Sequence, residues 1–200
     1  MKKIKIYLAS RIFNQAELEH CVYFTAMLKD YAKQNGKLDL KFFIPGIDTH
    51  ELEMIAKFSN KNDLFREIAD KDFKTLDQCD MLIAMCDGVD VDSGVAAEIG
   101  YFLWKKKQPV IKVLTDFRNG DMVNPMLYDP ELRHKENDVF VNTLSIFEKA
   151  FKDWKINFDE DYSVTDNPDY SFETVSKKIK ESYTSLLIEK VYQKLEKIWL

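Results

Sequence analysis

The sequence predicts a doubly wound α/β fold, a parallel sheet covered by helices on both faces, with a C-terminal helical extension. The first observation is that short apolar segments alternate with longer segments of helical periodicity over residues 1–150. Strands that alternate with helices pair in parallel through right-handed crossovers. The second observation is the segment Met81–Cys86, which is apolar at every position, as expected of a strand covered on both faces.

The first two strands and the helix between them have clear ends. Ile4–Ala9 alternates and contains β-branched residues, so we expect a buried strand there. A helix is predicted to begin at Asn14 and to end at Gly36, because these residue types terminate helices. Leu38–Ile44 is predicted as the second strand, since a Pro-Gly turn follows it.

The remaining elements continue the alternation. Residues 51–77 are polar with helical periodicity and are predicted as helix in two pieces, before the third strand at Met81–Cys86. A turn-rich stretch from Asp87 to Gly94 then leads into a helix that is predicted to run through Lys105. Val110–Leu114 is the fourth strand. The expected sheet is flavodoxin-like or Rossmann-like, and ligands of such sheets bind outside the carboxyl ends of the strands.

The tail differs from the rest of the chain. Residues 152–170 are acidic, aromatic and irregular, which is typical of a surface connection, and Phe172–Leu200 has the apolar stripe of one long helix. That stripe either packs on its own domain or meets a partner helix in an oligomer. We therefore expect an α/β domain with the site over residues 1–151, and a linker with a long C-terminal helix over residues 152–200.

Composition and missing motifs exclude several function classes. The net charge is -5 and no concentrated basic face is evident, so a nucleic-acid polymer is not an expected partner. No apolar run approaches the roughly 20 residues of a membrane span, and three cysteines without ligand spacing fit a cytoplasmic protein. The three histidines also lack ligand spacing. We expect no metal, and the absence of G-x-G-x-x-G and P-loop motifs argues against a cofactor.

A cluster of carboxylates follows the third strand. Glu98 lies among small residues in the helix that begins near Gly94, and a helix N-terminus favours an ionised carboxylate, as a nucleophile must be. Asp92, six positions earlier, can approach Glu98 only from the loop before the helix, and Gly94 makes such a bend easy. From the residues alone, capping and catalysis fit Asp92 equally well, and Glu98 would be an ordinary surface residue.

These residues resemble the nucleoside 2-deoxyribosyltransferase family. The first strand contains Tyr7, and the pattern D-x-G-x-x-x-E-x-G occurs at Asp92–Gly100. The family's N-x-M segment corresponds to Asn124–Met126, and Asp72 stands eight positions before Asp80. Two features depart from the family: position 93 is Ser, and the tail beyond residue 154 has no counterpart.

The resemblance, over residues 3–151, implies a transferase that exchanges the base of 2'-deoxynucleosides through a covalent 2-deoxyribosyl ester on Glu98. Tyr7 would hydrogen-bond Glu98, and Asp72 and Asp92 would contact the base and help to protonate its leaving nitrogen. The remaining substrate-binding residues that it implies are Phe13 against the base, Gly94, Asn124 at the sugar hydroxyl, and Met126 beside the same site. Each of these residues also has a purely structural interpretation, such as core packing for Tyr7.

The implied partners are small 2'-deoxynucleosides and free nucleobases, with no membrane. We expect a homo-oligomer in which Asn124 is contributed to a neighbouring subunit's site. Two alternatives stay open. One is a hydrolase of 2'-deoxynucleosides or their 5'-monophosphates, with Ser10 and Arg11 as phosphate donors. The other is a non-catalytic nucleotide-binding module whose C-terminal helix transmits a signal.

Overall fold

The computed structural model describes residues 1–48, 57, 60–88, 90–115, 139–141, 145–146 and 172–200. The strands in chain order are β1 (Lys2–Ala9), β2 (Leu38–Phe43), β3 (Met81–Met85), β4 (Val110–Leu114) and β5 (Val139–Phe140). The α-helices are α1 (Gln15–Asn35), α2 (Lys61–Gln78), α3 (Ser93–Gly100), α4 (Phe172–Tyr183) and α5 (Glu189–Trp199).

The strands form one five-stranded sheet in the order β2-β1-β3-β4-β5, and every neighbouring pair is parallel. The chain winds from β1 outward to β2, returns to β3 on the other side of β1, and continues to β4 and β5. This confirms the flavodoxin-like α/β fold with a helical C-terminal segment. The winding direction reverses between β1 and β3, so a crevice forms at their carboxyl ends.

The predicted element ends are confirmed where capping residues mark them. The Asn14 side chain accepts a hydrogen bond from the Glu17 amide and begins α1, as its residue type predicts. Gly36 ends that helix in the left-handed conformation, with φ 70°. The helix predicted over residues 51–77 corresponds to α2, which begins at Lys61; most of residues 51–59 lie outside the described part of the chain.

Two predicted helices contain wider π-helical turns. α3 continues into a π-helical turn at Tyr101–Lys106, and the C-terminal segment has another at Thr184–Ile188 between α4 and α5. Leu187 and Ile188 in the second turn are adjacent and both 0% exposed. Adjacent residues of an α-helix diverge by about 100°, so the wider turn brings both side chains into the core.

Side chains of β1 alternate between the two faces of the sheet. Ile6 and Leu8 lie on the face covered by α1 and the C-terminal helices, which we call the back face. Tyr7 and Ala9 lie on the face covered by α2 and α3, which we call the front face. Among the described residues of the C-terminal segment, the buried hydrophobic ones all belong to the back-face core: Tyr183, Leu187, Ile188, Val191, Tyr192 and Leu195.

The C-terminal helices therefore pack on their own domain, which was one of the two interpretations of their apolar stripe. The predicted division between residues 151 and 152 stays a prediction, because it lies outside the described residues. No helix in the described ranges is both long and apolar enough to cross a membrane.

Candidate active site

The site centres on a hydrogen bond between β1 and α3, at the point where the winding of the sheet reverses. Tyr7 is 0% exposed on the front face, and its hydroxyl donates to Glu98 Oε1 over 2.6 Å. Glu98 is half-buried, and its neighbours Val95 and Ile99 pack into the front-face core. The packing of α3 against the sheet thus brings a carboxyl group to the front face of β1.

The pKa of Glu98 differs from what its place in a helix predicts. Burial, and then the charges of Asp72 and Asp92, raise the pKa of Glu98 to about 8, although the Tyr7 hydrogen bond opposes this rise. The helix N-terminus therefore does not hold the pKa of this carboxyl at its ordinary value, and the ionised form that a nucleophile needs is populated as the pH approaches 8. Glu98 is the sixth residue of α3, and the effect of the helix dipole fades beyond the first turn, so burial dominates.

Asp92 is the N-cap of α3. Its Oδ1 atom accepts from the backbone amides of Gly94 and Val95, over 2.9 and 3.2 Å. Its charge nevertheless acts on Glu98, so capping and proximity to the site coexist in one residue. The capping bonds occupy Oδ1 and leave the second carboxylate oxygen, Oδ2, outside them.

Gly94 has a different role from the predicted bend. It lies inside α3 and is not among the glycines with positive φ, so left-handed backbone freedom is not required there. A Cβ atom at this position would lie 3.1 Å from Asp92 Oδ1. The absence of a side chain therefore leaves room for the capping carboxylate.

Asp72 reaches the site from α2. It is half-buried, and its charge raises the pKa of both Tyr7 and Glu98. Burial is the largest cause of the raised Tyr7 pKa, so the phenol stays protonated and able to donate. Three elements thus bring together four predicted site residues: Tyr7, Asp72, Asp92 and Glu98.

Comparison with known proteins shows which family the chain belongs to. Residues 6–144 match the family model for nucleoside 2-deoxyribosyltransferases. The chain belongs to that family. An uncharacterised protein of Ureaplasma parvum serovar 3 is 35% identical over 143 residues, which are 66% of this chain and 86% of that protein.

Two solved structures match at lower identity. A conserved protein from Enterococcus faecalis V583 is 22% identical, with a TM-score of 0.48, over 96% of this chain and 99% of that one. A 2-deoxyribosyltransferase from Bacillus psychrosaccharolyticus is 20% identical, also with a TM-score of 0.48, over 86% of this chain and 95% of that one.

The other residues expected from the family are not all at the Tyr7–Glu98 pair. Phe13 is 75% exposed, and its amide donates to Glu17 Oε2 over 3.0 Å. Asn124 and Met126 lie outside the described residues, so their predicted roles stay predictions. Within the described ranges, no group of three or more histidine, cysteine, aspartate or glutamate side chains could hold a metal ion.

Two contacts at the site were not predicted from the sequence. The Phe43 ring stacks on Tyr7, with ring centroids 5.4 Å apart and planes at 29°. Asp87, the second residue after β3, accepts from the amide and hydroxyl of Thr115, the first residue after β4, over 2.5 and 2.6 Å. A polar residue that follows a buried strand is a signal that sequence analysis could have used for Asp87.

A cavity of about 330 Å³ opens at the same edge of the sheet but on the back face. Ser10, Arg11, Glu17, His20, Asp87 and Thr115 contribute to its lining. Arg11 is not a free cation there, because its Nε atom pairs with Glu17 Oε1 over 3.1 Å. The Ser10 hydroxyl donates to the Arg11 carbonyl oxygen over 3.1 Å.

Proposed function

We propose that this chain transfers the 2-deoxyribosyl group of 2'-deoxynucleosides from one nucleobase to another, with Glu98 as the nucleophile. The observation that carries the proposal is the 2.6 Å hydrogen bond from a fully buried tyrosine to a half-buried glutamate at the carboxyl edge of the sheet. A carboxylate held in this way, with two further carboxylates near it, suits double displacement at a sugar carbon.

In the first step, the Glu98 carboxylate attacks C1' of the sugar. The C1'–O ester bond forms, the C1'–N bond breaks, and the leaving nitrogen of the base receives a proton. In the second step, a nitrogen of the incoming base attacks C1', the ester bond breaks, and the incoming base gives its proton back. Two displacements at one carbon retain its configuration.

We assign the proton transfer to Asp72. The alternative acid, Asp92, already uses Oδ1 to accept two backbone amide hydrogen bonds at the start of α3. Asp72 belongs to a different element, α2, and approaches both Tyr7 and Glu98. It is therefore the carboxyl group better suited to hold and return a proton.

The charges favour a nucleoside over a nucleoside 5'-monophosphate. Asp92 fills the N-terminus of α3 with its own carboxylate, where a phosphate would otherwise bind. Ser10 and Arg11, the expected phosphate donors, are engaged with a carbonyl oxygen and with Glu17. A phosphate dianion would also meet the charges of Asp72, Asp92 and Glu98.

The proposal includes a homo-oligomer in which Asn124 of one subunit completes the sugar site of its neighbour. This part rests on the family resemblance of the Asn124–Met126 segment. A mixture of Glu98→Gln and Asn124→Ala chains would test it. Each variant alone should be inactive, and subunit exchange should restore about one quarter of the wild-type sites in a two-chain arrangement.

The decisive experiment is to incubate the protein with deoxyinosine and free adenine. Formation of deoxyadenosine, absent in the Glu98→Gln variant, is the expected result. Formation of free hypoxanthine and deoxyribose without deoxyadenosine would show that the protein hydrolyses deoxyinosine and does not transfer its sugar. Parallel reactions with deoxyadenosine and dAMP test whether the protein prefers a nucleoside to its 5'-monophosphate. Ligand binding without any release of base would support a non-catalytic module instead.

A further inference from the structure

Phe43 lies beside Tyr7 on the neighbouring strand of the sheet. Tyr7 of β1 and Phe43 of β2 are directly paired in the parallel register, and both side chains belong to the front face. Their rings stack with centroids 5.4 Å apart. Phe43 is half-buried at the end of its strand, whereas Tyr7 is fully buried behind it.

Empty space lies next to this stacked pair, so the stacking contact limits the movement of the Tyr7 ring. Phe43 lines a cavity of about 280 Å³, to which Phe42, Lys5, Lys41 and Cys79 also contribute. Because the Phe43 ring stacks on Tyr7, its removal would leave empty space beside the Tyr7 ring. A buried ring with empty space on one side loses packing contacts and gains freedom to tilt.

We infer that Phe43 is a positioning residue for the reaction, because it holds the Tyr7 ring at the angle that brings the hydroxyl to Glu98 Oε1. Phe43 acts through Tyr7, because its ring stacks on the tyrosine whose hydroxyl donates to Glu98. The inference rests on the proposed function for its kinetic consequences. Its geometric part, the dependence of the Tyr7–Glu98 bond on Phe43, does not.

A positioning role has a signature that a merely stabilising role lacks. The Tyr7 hydrogen bond favours the charged form of Glu98 and so opposes the effect of burial on its pKa. If the Tyr7 ring tilts away, the pKa of Glu98 should rise further, and the acid limb of the kcat profile should move to higher pH. KM should change little, because the substrate contacts stay in place.

The test compares variants at two adjacent positions of β2. Phe43→Ala removes the stacked ring, Phe43→Leu removes only its aromatic face, and Phe43→Tyr keeps the ring. Phe42→Ala is the matched control, because Phe42 is 8% exposed and packs in the back-face core. Thermal unfolding first establishes the temperature at which all four variants are folded; if Phe43→Ala is not, Phe43→Leu takes its place.

We expect Phe43→Ala to lower kcat about tenfold with KM within about twofold, and to move the acid limb upward by about one pH unit. Phe43→Tyr should restore both values, and Phe42→Ala should change neither. Equal changes in the Phe42 and Phe43 variants, or an unmoved acid limb in Phe43→Ala, would overturn the inference.

A second readout does not depend on activity. In protein labelled with ¹³C at glutamate carboxyl groups, the Glu98 signal is identified by its absence from Glu98→Gln. Its titration should move to higher pH in Phe43→Ala and not in Phe42→Ala. A wild-type protein without base exchange would refute the proposed function while this titration still tests the geometry; an unchanged titration would refute the inference alone.

Discussion

The two faces of β1 separate stability from chemistry within one strand. On the back face, Ile6 and Leu8 meet α1 and the C-terminal helices in a core of large apolar side chains. On the front face, Tyr7 lies between Phe43 and Leu82 of the neighbouring strands, and its hydroxyl meets a glutamate. Because side chains alternate along a strand, neighbouring residues can serve opposite purposes without sharing contacts.

The comparison also shows that the site on the front face lowers the stability of the folded protein. A half-buried carboxyl with a raised pKa destabilises the folded protein once it ionises. The back-face core contains no aspartate or glutamate among its described buried members. Substitutions on the front face should therefore change activity and pH dependence, whereas those on the back face should change stability alone.

The largest expected effect is loss of base exchange in Glu98→Gln. The amide cannot form the sugar ester, so turnover should fall at least about 10³-fold, as expected when a nucleophile is removed. The measurement is the rate of deoxyadenosine formation from deoxyinosine and adenine. Turnover in this variant near the wild-type rate would remove Glu98 from the reaction.

The back face should give the opposite result. Leu187 is 0% exposed in the C-terminal segment, and Leu187→Ala should lower the free energy of unfolding by about 2–5 kcal/mol. Its kcat should stay at the wild-type value well below the unfolding temperature. Chemical denaturation and kinetics on the same sample check both. A large loss of kcat in the folded variant would break the separation between the faces.

Tyr7→Phe sharpens the comparison on the front face. It removes one hydrogen bond to the carboxylate, and such bonds to charged groups contribute about 1.5–3 kcal/mol, which corresponds to roughly a 10-fold to 100-fold lower kcat. Because that bond lowers the pKa of Glu98, the acid limb of the kcat profile of Tyr7→Phe should move to higher pH. An unchanged kcat and an unchanged limb together would make Tyr7 a core residue only.

The smallest expected effect is on stability against pH. The pKa of Glu98 is about 8 in the folded protein against an ordinary 4.5, so the group is protonated in both states at low pH. Stability is lost as the pH rises between these values, because the folded state resists ionisation. Glu98→Gln should therefore become relatively more stable across that range, by about 1–2 kcal/mol near its upper end, allowing for screening of a half-buried group. Urea unfolding at a series of pH values measures this difference, and a constant difference would contradict it.

Local rules explain what sequence analysis predicted correctly. The ends of α1 follow from Asn14 and Gly36, whose side-chain and backbone chemistry act within one turn. The fully apolar β3 follows from burial on both faces. The π-helical turn at Leu187 and Ile188 could not be predicted, because it depends on the shape of the core against which it packs.

By itself, the sequence determined the alternation of strands and helices, the parallel sheet, and the family pattern that singles out Glu98. Only the tertiary structure decided that Tyr7 and Glu98, 91 residues apart, share a hydrogen bond, and that Phe43 backs the tyrosine. It also decided that the glutamate has a raised pKa, contrary to the expectation from its helix. The physical reason is that capping and periodicity act between neighbours along the chain, whereas burial and electrostatic coupling depend on which distant segments the fold packs together.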